Sequence, residues 1–119
     1  MDKDPKIFLA HILESIALIE RYTKGKNRTQ FIRSVDLQDK VIRRLEIVGE
    51  AVRHFPEELR RNYPQTPWRQ IAGTRDKFIH EYFGVDMALT WEIVRHDLPK
   101  LKRQIVKIER DLKRVDAPR

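Results

Sequence analysis

Cysteine is absent from the chain, which excludes disulfides, thiolate catalysis and cysteine-ligated zinc. A reducing compartment is compatible with that absence. Glycine is scarce, at four residues in 119, and strand-like alternation of apolar and polar residues is hard to find, so a β-rich fold has little to build on. No apolar run is long: the N-terminal MDKDPKIFLAHILESIALIE is interrupted by His11, Glu14 and Ser15, which neither a signal peptide nor a membrane span normally tolerates. The expectation is a cytoplasmic protein without a membrane partner. Also missing are a glycine-rich phosphate loop, a paired-carboxylate centre and a His-x3-His pair, so neither a cofactor nor a metal site is expected.

What is present is charge on a helical frame. A length of 119 residues supports one domain with a real core and not two, so residues 1–119 are read as a single unit. Hydrophobic residues at 40% against charged residues at 36% suit a thin helical core under a charged surface rather than a disordered chain. The formal charge of +7 favours a polyanionic partner, nucleic acid first and an acidic protein second.

Local punctuation places the helices. Asp4-Pro5 is a cap followed by proline at the first helical position, and Phe8, Ile12, Ile16 and Ile19 then recur at helical spacing towards a stop at Lys24-Gly25. Lys26-Asn27-Arg28 reads as a polar connection, with Thr29 or Ser34 capping a helix striped by Val41, Leu45, Val48 and Val52 and stopped by Pro56. PEELRRNY is a short helical piece closed by Pro64, and Thr66-Pro67 repeats the cap-plus-proline signal to open a helix that runs to Gly84. Asp86 caps the last helix, where Leu98, Leu101, Ile105, Ile108, Leu112 and Val115 form a seam and Pro99 predicts a kink or restart. The expected architecture is all-α, an antiparallel bundle of four to five helices.

The densest chemistry lies in RDKFIHEY, residues 75–82. It joins a permanent cation, Arg75, a group that titrates near neutrality, His80, and a phenol, Tyr82. On a regular helix, residues 75 and 80 point about 140° apart and lie about 7.5 Å apart along the axis. One straight helix therefore does not aim both at one atom. Either the helix distorts, or two copies of it meet and combine their residues.

Arg75, Asp76 and His80 satisfy the arginine, polar residue, spacer, histidine pattern of the HEPN superfamily, and Tyr82 extends it to the Arg-x4-His-x-Tyr form of HepT-like toxins. LQDKVIRRLEIVGEAV, PWRQIAG, HEYFGVD and WEIVRHDLPKL resemble that family in its order. Thr74 departs from it, standing where a larger apolar residue is expected. The resemblance implies a homodimeric HEPN bundle whose two copies of Arg75 and His80 form one cleft that cuts RNA, with tRNA the family's favoured target and no metal required. Histidine can take or return a proton near neutrality, and arginine can hold two phosphate oxygens. Asp76 would be a supporting, positioning residue. The resemblance further implies a type VII toxin–antitoxin pair in which an MntA-like nucleotidyltransferase antitoxin attaches AMP to Tyr82 and silences the RNase. Two other readings stay open: a non-catalytic HEPN subunit that binds a nucleotide or phosphate beside a nucleotidyltransferase, and a basic helical adaptor in which the motif is accidental.

Outside the motif, ordinary roles come first. His11, His54 and His96 read as surface or capped residues, and Trp68 and Trp91 as packing residues rather than base-stacking platforms. Gly49 marks a close helix approach, at a dimer interface or within the chain. The cations Lys100, Lys102, Arg103, Lys107, Arg110, Lys113 and Arg114 read as a solvated helix face, or else as an RNA-facing flank.

Overall fold

A computed structural model describes residues 4–80 and 86–116, the backbone alone over 75–80 and at 116. Seven α-helices and one π-helical turn account for nearly all of them, with no strand among the described residues. The first, α1 (Pro5–Thr23), starts where the sequence predicts. The Asp4 carboxylate accepts from the Lys6 amide at 2.9 Å, and the chain leaves the helix through Gly25 at φ 73°, a conformation that favours glycine. Its buried stripe is Leu9, Ile12, Ser15, Ile16 and Ile19. Phe8 lies at the stripe's edge instead, its ring stacked on His54 at 5.3 Å.

A short, separate α2 (Arg28–Arg33) follows, where the sequence suggests a connection over residues 26–28 and one long helix capped by Thr29 or Ser34. Asn27 and Gln30 form a reciprocal capping box with two 2.8 Å bonds, and Phe31 is fully buried beneath it. Ser34, not Thr29, caps α3 (Val35–Arg53), accepting from the Leu37 amide at 3.2 Å. Gln38 turns back from α3 to donate to the Phe31 and Ile32 carbonyls at 3.0 and 2.8 Å, which satisfies the end of α2. Gly49 is buried on α3 inside the single chain.

Next come α4 (Glu57–Asn62) and α5 (Trp68–His80). The helix α5 opens one residue later than the Thr66 cap predicts: Thr66 is buried, its carbonyl accepts from the Trp68 amide at 2.8 Å, and the Pro67 carbonyl takes the first helical bond from Ile71. Trp68 is a packing residue, 7% exposed, edge-on to Phe55, with its indole N–H donating to the Tyr63 carbonyl at 2.9 Å. The expected stop of α5 at Gly84 lies outside the described residues.

The chain resumes at Asp86, whose carboxylate accepts from the Ala88 and Leu89 amides at 2.9 and 3.2 Å to cap α6 (Met87–Glu92). A π-helical turn (Ile93–Asp97) then joins α6 to α7 (Leu98–Asp116). Proline lacks an N–H and its ring clashes with the carbonyl four residues back. One wider turn ahead of Pro99, with the Leu98 amide donating to Ile93, accommodates it without ending the helix. Trp91 packs on Phe31 with ring centroids 5.3 Å apart.

The four long elements pack antiparallel in sequence. Phe8 at the start of α1 meets Phe55 beyond the end of α3, Phe55 meets Trp68 at the start of α5, Tyr63 before α5 bonds Asp111 near the end of α7, and Glu20 near the end of α1 bonds Lys102 near the start of α7. This is the all-α antiparallel bundle expected, measuring 53 × 30 × 24 Å. Leu9, Ile12, Ile19, Phe31, Ile105 and Ile108 are fully buried at its centre, each contributing about 1.5–3 kcal/mol of transfer free energy. The α7 seam stops short of its predicted end: Leu112 is half-buried and Val115 is 81% exposed. No helix among the described residues is long and apolar enough to cross a membrane.

Candidate functional site

The motif occupies the last turns of α5, which is α-helical through His80. Regularity has a geometric consequence. Position 75 continues the stripe of Trp68, Ile71 and Ala72, which packs inward, whereas position 80 continues the stripe of Arg69 and Gly73, which is exposed. The helix therefore does not distort to bring Arg75 and His80 onto one face. Asp76 follows Arg75 on the same turn, and Tyr82 lies outside the described residues. A regular α5 keeps positions 75 and 80 on different faces within one copy.

The antiparallel packing fixes what else shares that end of the bundle. Thr74, adjoining Arg75, lines a cavity of about 290 Å³ together with Leu45, Val48, Leu98 and Leu101, so the motif end of α5 lies beside the start of α7. Thr74 is no cavity filler: its hydroxyl donates to the Gln70 carbonyl at 3.0 Å, one turn back. A larger apolar residue at 74 would reduce this cavity. Gly73 sits on the exposed side with nothing within 4 Å of where a Cβ would stand.

The histidines outside the motif have ordinary partners. His54 pairs with Glu50 at 3.1 Å and His96 with Glu92 at 3.0 Å, both one turn apart on exposed surfaces, and His11 is exposed. The perturbed titration among the described residues lies at the opposite end of the bundle. There the Tyr63 hydroxyl donates to Asp111 at 2.7 Å, and burial, followed by that bond, pushes the phenol up to about 12. It is a structural latch far from the motif.

Residues 12–108 match the family described as Ribonuclease HepT-like, a span that contains Arg75, Asp76, His80 and Tyr82. A protein of Methanocaldococcus jannaschii whose name pairs gamma-glutamylcyclotransferase with RNase is 55% identical over 112 residues, 94% of this chain; the chain spans half the length of that relative. A second protein of the same organism, with RNase in its name, is 40% identical over 114 residues, covering 96% of this chain and 94% of the relative. The protein named Probable ribonuclease HepT of Thermococcus cleftensis is 41% identical over 110 residues, 92% of this chain and 100% of its own length. No solved structure matches the chain. With a family match across most of the bundle and relatives of equal length at about 40% identity, the chain belongs to the HepT-like ribonucleases of the HEPN superfamily.

Proposed function

We propose that this protein is a toxin endoribonuclease, acting on tRNA, whose cleft forms between two copies of the chain. The observation that carries the reading is the family match over residues 12–108, supported by an α5 that is regular through His80 and so separates Arg75 from His80 within one copy. Two protomers supply two arginines and two histidines to one cleft. One neutral imidazole takes the proton of a ribose 2′-OH as that oxygen attacks the phosphorus. The protonated imidazole of the other copy delivers a proton to the departing 5′-oxygen as the P–O5′ bond breaks, leaving a 2′,3′-cyclic phosphate. The arginines hold the charge that grows on the non-bridging oxygens, so the chemistry requires no metal. Asp76 positions the guanidinium or the imidazole.

Tyr82 serves regulation and not cleavage. A nucleotidyltransferase antitoxin transfers AMP to its phenol, and the added phosphate charge and nucleoside obstruct the RNA path. Purified wild type in chelator is expected to cut RNA to cyclic-phosphate ends, with Arg75→Ala and His80→Ala each at least 10²-fold slower. Equal rates for all three proteins would overturn the catalytic assignment. Intact mass after co-expression with a nucleotidyltransferase antitoxin is expected to rise by AMP in wild type and not in Tyr82→Phe.

A further inference from the structure

A second cleft, of about 690 Å³, opens on the other side of the α6–α7 rod, between the end of α1 and the π-helical turn. Its floor is apolar and buried, formed by Ile16, Ile19, Val94 and Leu98. Its rim carries Lys24, Arg95, Lys102 and Arg103 against a single carboxylate, Glu20. Some cations elsewhere pair within a helix, as in Lys107 with Asp111, Lys113 with Glu109 and Arg61 with Glu57. Here, among the described residues, Lys24, Arg95 and Arg103 make no ion pair, and Lys102 alone is engaged, 2.9 Å from Glu20. The guanidinium of Arg95 lies over the Trp91 ring at 5.6 Å, which holds it at the rim. A concentration of uncompensated cations over an apolar floor suits a ligand with repeated negative charge and flat or sugar-like apolar parts.

We infer that this cleft is a guide site for the RNA backbone, which seats phosphates on Lys24 and Arg103 while the strand runs to the motif at the same end of the bundle. The inference rests on the ribonuclease reading for its choice of RNA over other polyanions. The shared end follows from the packing: Glu20 near the end of α1 meets Lys102 near the start of α7, and Leu98 lines both this cleft and the cavity bordered by Thr74. Glu20 competes with the phosphate for Lys102 and acts as an internal counter-ion when the cleft is empty of RNA.

The test measures binding in the His80→Ala background, so that it does not depend on cleavage. Fluorescence anisotropy of a labelled single-stranded RNA oligonucleotide is followed across a salt series. Each phosphate contact on a single strand contributes about 0.7 to the slope of log affinity against log salt, so Lys24→Ala with Arg103→Ala is expected to lower the slope by about 1.4 and to weaken binding about tenfold at about 0.15 M salt. The double change Lys113→Ala with Arg114→Ala, at the far end of α7, is the control and is expected to lower the slope less. Glu20→Gln is expected to tighten binding by freeing Lys102.

The inference is overturned if the cleft pair lowers the slope no more than the control pair, or if Glu20→Gln leaves affinity unchanged or lower. It is also overturned if labelled polyglutamate, and not RNA, depends on Lys24 and Arg103, which would assign the cleft to an acidic peptide. A separate arm follows cleavage of a dinucleotide, too short to reach the cleft, by protein with His80 intact. Wild-type rates for the cleft pair there, with weakened binding of the oligonucleotide, support a guide site. No cleavage by the wild type itself would sink the ribonuclease reading while leaving the binding result to stand.

Discussion

Tyr63 and Asp111 are 48 positions apart, yet the phenol donates to the carboxylate at 2.7 Å, and Lys107 approaches the same oxygen at 3.5 Å. The two groups respond to pH in opposite directions. Tyr63 is raised above its ordinary value of 10.0, by burial first, so its contribution to stability is present below pH 10 and lost as pH rises through about 12. Asp111 is held below its ordinary value by the Tyr63 hydroxyl first and, against a smaller opposing effect of burial, by the Lys107 charge. Its contribution is present above the ordinary carboxylate value and lost as pH falls through the lowered one. Tyr63→Phe is therefore expected to lower the urea midpoint at neutral pH, with the gap to wild type closing as pH falls through the lowered Asp111 value and the carboxylate protonates. Equal gaps at both pH values would show that the ionised carboxylate is not the partner that matters. This latch was not legible in the sequence, because nothing in local spacing joins a turn before α5 to the last turns of α7. The caps at Asp4 and Asp86 were legible, because a side chain and the amides it accepts from lie within three residues.

At the scale of elements, helix periodicity located the core of α7 but overran its end. A stripe continues in sequence whether or not a neighbour remains to cover it. Ile108 is fully buried and Val115 is 81% exposed, so the packing partner runs out between them. Ile108→Ala is expected to cost about 2–5 kcal/mol in chemical denaturation, and Val115→Lys to stay within about 0.5 kcal/mol of wild type. A cost of more than about 1 kcal/mol at Val115 would place the end of the helix in an interface that the single chain does not show. The short α2 does carry a local signal, an asparagine followed three residues later by glutamine at Asn27 and Gln30. Asn27→Ala is expected to remove about 1 kcal/mol through loss of that capping box. The rod from α6 to α7 differs in another way: Pro99 predicts a kink or restart, and a π-helical turn ahead of it carries the helix on, with Trp91 and Leu98 buried on either side.

At the scale of the whole molecule, the motif was legible as residues but not as a site. Arg75 and His80 are five positions apart on a helix that stays regular, so one copy separates them. Contacts with a second copy leave no periodic trace in one chain. The two-copy cleft proposed here makes a sharp prediction, because the two essential groups can then be supplied by different chains. Arg75→Ala protein retains His80, and His80→Ala protein retains Arg75. Mixed and allowed to exchange, the two inactive proteins reassort so that about half of the dimers are mixed, each with one arginine and one histidine in the shared cleft. RNase activity is then expected to rise above the background of either inactive protein but to stay well below the wild-type rate, because the mixed cleft has one imidazole for two proton transfers, with the rise following subunit exchange as read by light scattering and native mass. A site built within one chain behaves differently, since neither protomer of the mixed dimer carries both groups and the mixture stays inactive. Exchange without recovery would therefore return Arg75 and His80 to a single chain and require α5 to distort on binding RNA.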